Sequence, residues 1–133
     1  MAKYFGGDIT ELKVEHPTIG SFTVEPKANE DTEQDMGGIR MNDDDSQITG
    51  AGTIILSGTR TRPYLQVTVA TNEEITEKLT QWAESAELAT ITYTHINGDV
   101  KRGKAIPVGD IKPSSLNATV QIKLAGSGKF VKI

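Results

Sequence analysis

Apolar and polar residues alternate along most of this chain, and in one stretch the alternation gives way to a helical period. Leu12 and Val14 alternate with Glu11, Lys13 and Glu15, and Phe22 and Val24 repeat the pattern after a turn near His16-Pro17. Successive strand residues point to opposite faces, so the alternation predicts half-buried strands. Strands are also predicted over 53–57 and 65–69, where Leu65, Val67 and Val69 share a face. From about 72 to 86 the spacing changes. Ile75, Leu79, Trp82, Ala83 and Ala86 recur on one helical face, while Glu73, Glu77, Lys78, Gln81 and Glu84 lie elsewhere. Thr71 and Glu74 read as a capping box at the start of this helix.

A hairpin is predicted next. Ala89, Ile91, Tyr93 and His95 alternate with Thr90, Thr92, Thr94 and Ile96, and Asn97-Gly98 follows. Both turn residues tolerate positive φ, which predicts a type I′ turn before the chain returns through 100–106. Val120, Ile122 and Leu124 mark the last strong strand, and Gly126-Ser127-Gly128 is expected to break it before 130–133. The pattern predicts a mainly β protein, a sandwich or barrel-like fold in one domain (1–133), flanked by one helix.

Charge adds a second feature. The chain of 133 residues carries a formal net charge of −4, yet the segment 25–50 holds eight acids and two bases. Its large apolar residues are few: Met36, Ile39, Met41 and Ile48. This stretch reads as a long loop or an extended hairpin, and connections of such length inside a compact domain are usually functional or disordered. The absence of cysteine excludes disulfides, thiol catalysis and the common structural zinc sites. The net acidity argues against binding nucleic acid by phosphate neutralisation. No apolar run approaches the length of a signal core or a membrane helix, so a cytoplasmic place of synthesis and no membrane partner are expected.

Candidate chemistry is sparse. Gly126-Ser127-Gly128-Lys129 lacks the leading glycine and trailing hydroxyl of a phosphate loop. Asn42-Asp43-Asp44-Asp45 lacks the alternating ligands, central glycine and distal glutamate of a calcium loop. His16 and His95 have no catalytic partner near them in sequence, and the serines sit in no nucleophile elbow. Trp82 shares the register of Ile75 and Leu79 and reads as a core anchor. The expectation is a non-enzyme with no cofactor and no metal. Thr90, Thr92 and Thr94 define a polar strand face without charge, suited either to plain solvent or to the wall of a wet channel.

In order, these elements resemble the tail tube proteins of contractile-tailed bacteriophages, the Mu-like family in particular. The resemblance lies in Gly7-Asp8-Ile9 through Val24 with its Ser21-Phe22-Thr23 step, in the basic then alternating stretch 59–69, and in the acidic helix with Trp82 near its end. It continues through the hairpin 89–104 and the last strand with its basic tail, 118–133. It departs at 25–50, which is longer here. The resemblance implies a virion protein assembled in the host cytoplasm, a homohexameric ring stacked into a tube, and DNA passing along the channel without specific binding. It also implies sheath, baseplate and tail-terminator proteins as partners. Secretion-system tubes share the fold.

In such a ring, open sheet borders would be paired by neighbouring copies. Met36, Ile39, Met41 and Ile48 are then candidates for buried contact between subunits or rings, and Arg40, Arg60 and Arg62 for ion pairs across a boundary. Thr90, Thr92 and Thr94 are candidates for the channel wall. Two other classes compete: a monomeric ligand-binding β-sandwich, which would need an exposed aromatic platform, and a hydrolase working through paired carboxylates.

Overall fold

The computed structural model describes residues 4–43 and 46–133. Eight strands come first in chain order: β1 (Ile9–His16), β2 (Gly20–Pro26), β3 (Glu33–Asp35), β4 (Gly38–Met41), β5 (Gln47–Ile48), β6 (Ile54–Ile55), β7 (Gly58–Thr61) and β8 (Tyr64–Ala70). The helix α1 (Glu73–Ser85) precedes β9 (Ala89–His95), β10 (Val100–Val108) and β11 (Thr119–Lys132). Strands β11, β10, β9, β1, β2 and β8 pair in that order, all antiparallel, and β8 pairs again with β11. The result is a closed six-stranded barrel with a flanking helix.

Closure corrects one expectation. The borders of the main sheet are not left for neighbours to cover. Val69 lies opposite Val120, Leu65 lies opposite Leu124, and Glu25 lies opposite Ala70, so the chain pairs its own edges. Barrel closure removes the exposed ladder groups that make an edge strand adhesive.

The interior is built from the inward half of each alternation. Leu12, Val14, Leu65, Val67, Val69, Ile91, Val120, Ile122 and Leu124 are all buried. At β1 the alternation slips: the pairing to β9 shifts register between Ile9 and Glu11, and this bulge keeps Ile9 inside. Helix α1 closes the end at which β8 finishes. Leu79 and Trp82 are fully buried, and the Trp82 ring stands edge-on to Phe22 at 6.4 Å between centroids. Trp82 Nε1 is a buried donor with no hydrogen-bond partner among the described residues. Tyr93, Phe130 and Met36 fill the opposite end, with Tyr93 edge-on to Phe130 at 6.2 Å. Tyr93 Oη donates to Gln34 Oε1 at 2.9 Å, and burial pushes the phenol pKa up.

Several local expectations need correction. The N-cap is Asn72, not Thr71: Ile75 N–H donates to Asn72 Oδ1 at 2.9 Å. Thr71 Oγ1 instead contacts Thr76 Oγ1 at 2.7 Å. Ala86 is exposed and forms a left-handed C-cap rather than part of the apolar face. The β9–β10 turn is not type I′. Gly98 N–H donates to the His95 carbonyl at 2.9 Å, and only Gly98 has positive φ, so this is a three-residue turn ending in a glycine bulge.

Gly126 does not end β11. The strand runs on to Lys132, and its pairing with β10 shifts register only beyond Ser127, before Val131. A Cβ on Gly126 would collide with the Lys104 carbonyl oxygen, so glycine is what lets β10 and β11 approach. His16 is buried and structural. Its Nδ1 accepts from Thr18 N–H and Ile19 N–H, both at 3.0 Å, which leaves Nε2–H to donate to Ser85 Oγ at 3.2 Å. No helix among the described residues is long and apolar enough to cross a membrane.

Candidate assembly surface

The stretch 25–50 is not one long loop or hairpin: Glu25 ends β2 and Glu33–Asp35 form β3 against β8, and only from Gly38 does the chain enter a two-stranded arm, described over 38–43 and 46–61, that leaves the barrel at the end opposite α1. Its placement follows from β8: Tyr64 adjoins the base of the arm, whereas Ala70 leads into the helix. Gly37 and Gly38 carry the chain out with φ of 81° and 113°. A Cβ on Gly37 would press to 2.8 Å from the Gly128 carbonyl oxygen and 3.0 Å from Pro63, so the exit is fitted to glycine. Asp35 fastens this corner. Its Oδ1 accepts from Gly37 N–H at 2.8 Å and from Arg40 Nη2 at 2.7 Å. Across β8, Tyr64 Oη donates to Glu33 at 2.6 Å, and that bond to a carboxylate raises the phenol pKa.

Pairing sets the faces of the arm. Ile39 lies opposite Arg60 and Met41 opposite Gly58. Ile39 and Met41 both lean over Gly58, within 3.2 Å of the position its Cβ would take. The other face is polar: Asn42 Nδ2 donates to Thr59 Oγ1 at 2.8 Å. Towards the tip, Gln47 pairs with Ile55 and Ile48 with Ile54. A compact turn closes the tip, with Thr49 N–H donating to the Thr53 carbonyl at 2.8 Å. The whole stretch 46–57 contains no charged residue.

Ile39, Met41, Ile48, Ile54, Ile55 and Leu56 are each more than half exposed, and Ile48 reaches 71%. Consecutive Ile54 and Ile55 point to opposite faces, so the six exposed apolar side chains are spread over both sides of one projection, and exposed apolar side chains gathered in this way mark interaction sites. The ladder from β4 to β7 also has two outer edges unpaired among the described residues.

The expected contact residues therefore separate into groups. Ile39, Met41 and Ile48 stand exposed on the arm. Met36 lies apart from them, half-buried against the barrel core, and its carbonyl accepts from Phe130 N–H at 3.0 Å. Arg40 is already engaged within the chain by Asp35. Arg60 is exposed on the arm and Arg62 is exposed at its base; neither forms an ion pair among the described residues. The acidic run considered for calcium includes Asp44 and Asp45, which lie outside the described residues.

Ile54, Ile55 and Leu56 escaped the sequence reading because a β-rich run looked like core. The available signal was the lack of alternation in Ile54-Ile55-Leu56, directly after Gly50-Ala51-Gly52.

Thr90, Thr92 and Thr94 lie half-buried on the outer face of β9. They are neutral, but their neighbours are not. Thr90 sits between Glu15 and Lys104, and Thr92 between Lys13 and Arg102. Arg102 Nε donates to Thr92 Oγ1 at 3.3 Å. The face as a whole carries charges of both signs. Comparison with known protein families and with curated proteins finds no match to this chain.

Proposed function

We propose that this chain is a non-enzymatic, self-assembling subunit of a contractile-phage tail tube, forming hexameric rings that stack around a channel for DNA. One observation carries the reading: a barrel complete in itself projects an arm with six large apolar side chains that are each more than half exposed. Burying such a surface against other copies is the favourable step of association. The closed barrel moves the adhesive element from the sheet borders to the arm. A contact between two different patches can close as a ring or propagate as a stack, and a tube needs both.

In this reading the virion is the site of action, with sheath, baseplate and terminator proteins as outer and end partners. The mixed-charge outer face around Thr90, Thr92 and Thr94 is proposed as the channel wall. Acids beside the bases of β10 limit the phosphate affinity that a purely basic wall would have.

Electron microscopy of purified protein tests the reading. Rings or tubes from the full chain, and their loss when residues 38–61 are replaced by a two-residue turn, are the expected result. A monomer that persists at every concentration and salt tried would overturn it.

A further inference from the structure

The inward face of the barrel stops being apolar at its arm end. Along β9 the buried positions are Ala89, Ile91 and Tyr93, and the next residue on that face is His95. Lys101 of β10 lies opposite Tyr93, and Gln34 of β3 lies opposite the buried Leu65. Opposed residues of an antiparallel pair share a face, so His95, Lys101 and Gln34 continue the interior pattern with polar groups. All three are half-buried, and they line one cavity of about 180 Å³ together with Ile9 and Tyr93, the latter only 1% exposed. A second hollow of about 400 Å³ shares Phe5, Asn97 and Asp99 with this cavity and adds Ile96.

Hydrogen bonds within this mouth consume acceptors and leave donors. Gln34 Oε1 accepts from Tyr93 Oη at 2.9 Å and from Lys101 Nζ at 3.4 Å. The ammonium fixes which way the amide is turned, and its NH2 group has no partner among the described residues. His95 Nδ1 accepts from Asn97 N–H at 3.1 Å, which leaves Nε2 as the donor of the neutral ring. Lys101 forms no ion pair among the described residues. The neighbouring carboxylates are already engaged. Asp99 holds Lys132 Nζ at 3.1 Å and Asn97 Nδ2 at 3.3 Å, Glu33 holds Tyr64 Oη, and Asp35 holds Arg40. A recess with N–H donors on three strands and one lysine without a counter-ion suits an anionic oxygen ligand.

We propose that this barrel mouth binds a small organic carboxylate, with its head group on Lys101, His95 and the Gln34 amide and its short apolar tail beside Phe5 and Ile96. One unpaired ammonium matches one negative charge, whereas a dianion such as phosphate would bring a second charge that nothing here neutralises. The tail has a place to go, because Phe5 and Ile96 are each about half exposed beside the adjoining hollow. The inference does not depend on the arm or on assembly.

Saturation-transfer NMR observed on the ligand tests the site with the full chain, whether monomeric or assembled. Butyrate is expected to bind saturably with a Kd on the order of 1 mM, an ordinary affinity for so few atoms. Acetate should bind about fivefold more weakly for want of the tail, and inorganic phosphate at equal concentration should not displace butyrate. Lys101→Met should weaken butyrate by about tenfold while Lys101→Arg retains it, with circular dichroism confirming that each variant is folded. Phe5→Ala leaves the head-group site intact and should bring butyrate down to the level of acetate. Saturation transfer that never saturates, displacement of butyrate by phosphate, or undiminished affinity in folded Lys101→Met would each overturn the proposal.

Discussion

The barrel and the arm are made from the same kind of strand, yet they meet opposite fates. In the barrel, each inward residue finds another inside: Val14 opposite Ile91, Leu65 opposite Leu124, Trp82 against Phe22. In the arm, Ile48 pairs with Ile54 and both stay in water. A pleated strand sorts its side chains onto two faces wherever it forms. It does not supply the surface that a face must meet. Where six strands close on each other that surface is internal; where two strands project alone it has to come from elsewhere.

The sharpest break in this comparison comes from the packed interior of the barrel and its helix. Trp82→Ala should cost about 3–5 kcal/mol, because it removes a fully buried aromatic side chain and leaves a cavity next to Phe22. Thermal melting followed by circular dichroism would register it as a large fall in Tm. Gly126→Ala should cost on the order of 1–3 kcal/mol or more, since the new methyl group meets backbone that cannot rotate away. His16→Ala is a smaller insult of about 1–3 kcal/mol, from two backbone N–H groups left without their acceptor. Urea unfolding would measure it. The arm should behave in the reverse way. Ile48→Ser should move monomer stability by no more than about 0.5 kcal/mol, yet reduce assembly in a sedimentation assay. A large loss of monomer stability in Ile48→Ser would erase the distinction between the two regions.

The smallest effect concerns pH. A hydrogen bond from the Lys132 ammonium holds Asp99 below the usual carboxylate pKa, with Lys101 and Asn97 adding to it. A depressed folded pKa contributes stability that is present above the unfolded value, about 4, and lost as pH falls through the folded one. Lys132→Met should therefore lower Tm slightly at pH 7, with the gap to the unsubstituted protein closing in acid. A gap that persists in acid would assign the effect to packing instead.

The core strands were legible in the sequence because burial and alternation coincide there. Leu65, Val67 and Val69 are inside as their spacing says, and so are Val120, Ile122 and Leu124. The helix was legible for the same reason, although its cap shifted by one residue because Asn72 competes with Thr71 for the role. Closure of the barrel was not legible. It depends on which strands meet, and nothing local in β8 says that its two edges take β11 and β2. The candidate assembly surface was half legible. Ile39, Met41 and Ile48 stood out inside an acidic stretch, whereas Ile54, Ile55 and Leu56 carried the composition of a core strand. Arg40 looked available because Asp35 is five residues away, and their pairing needs the corner that Gly37 makes.

A barrel that closes without neighbours separates two events in time. Each chain can complete its fold in a unimolecular step, and in the proposed assembly growth would then be a matter of concentration and nucleation. In the proposed assembly, the isoleucine-rich projection would set both the lag before growth and the hazard of clumping while the pool of finished monomers waits.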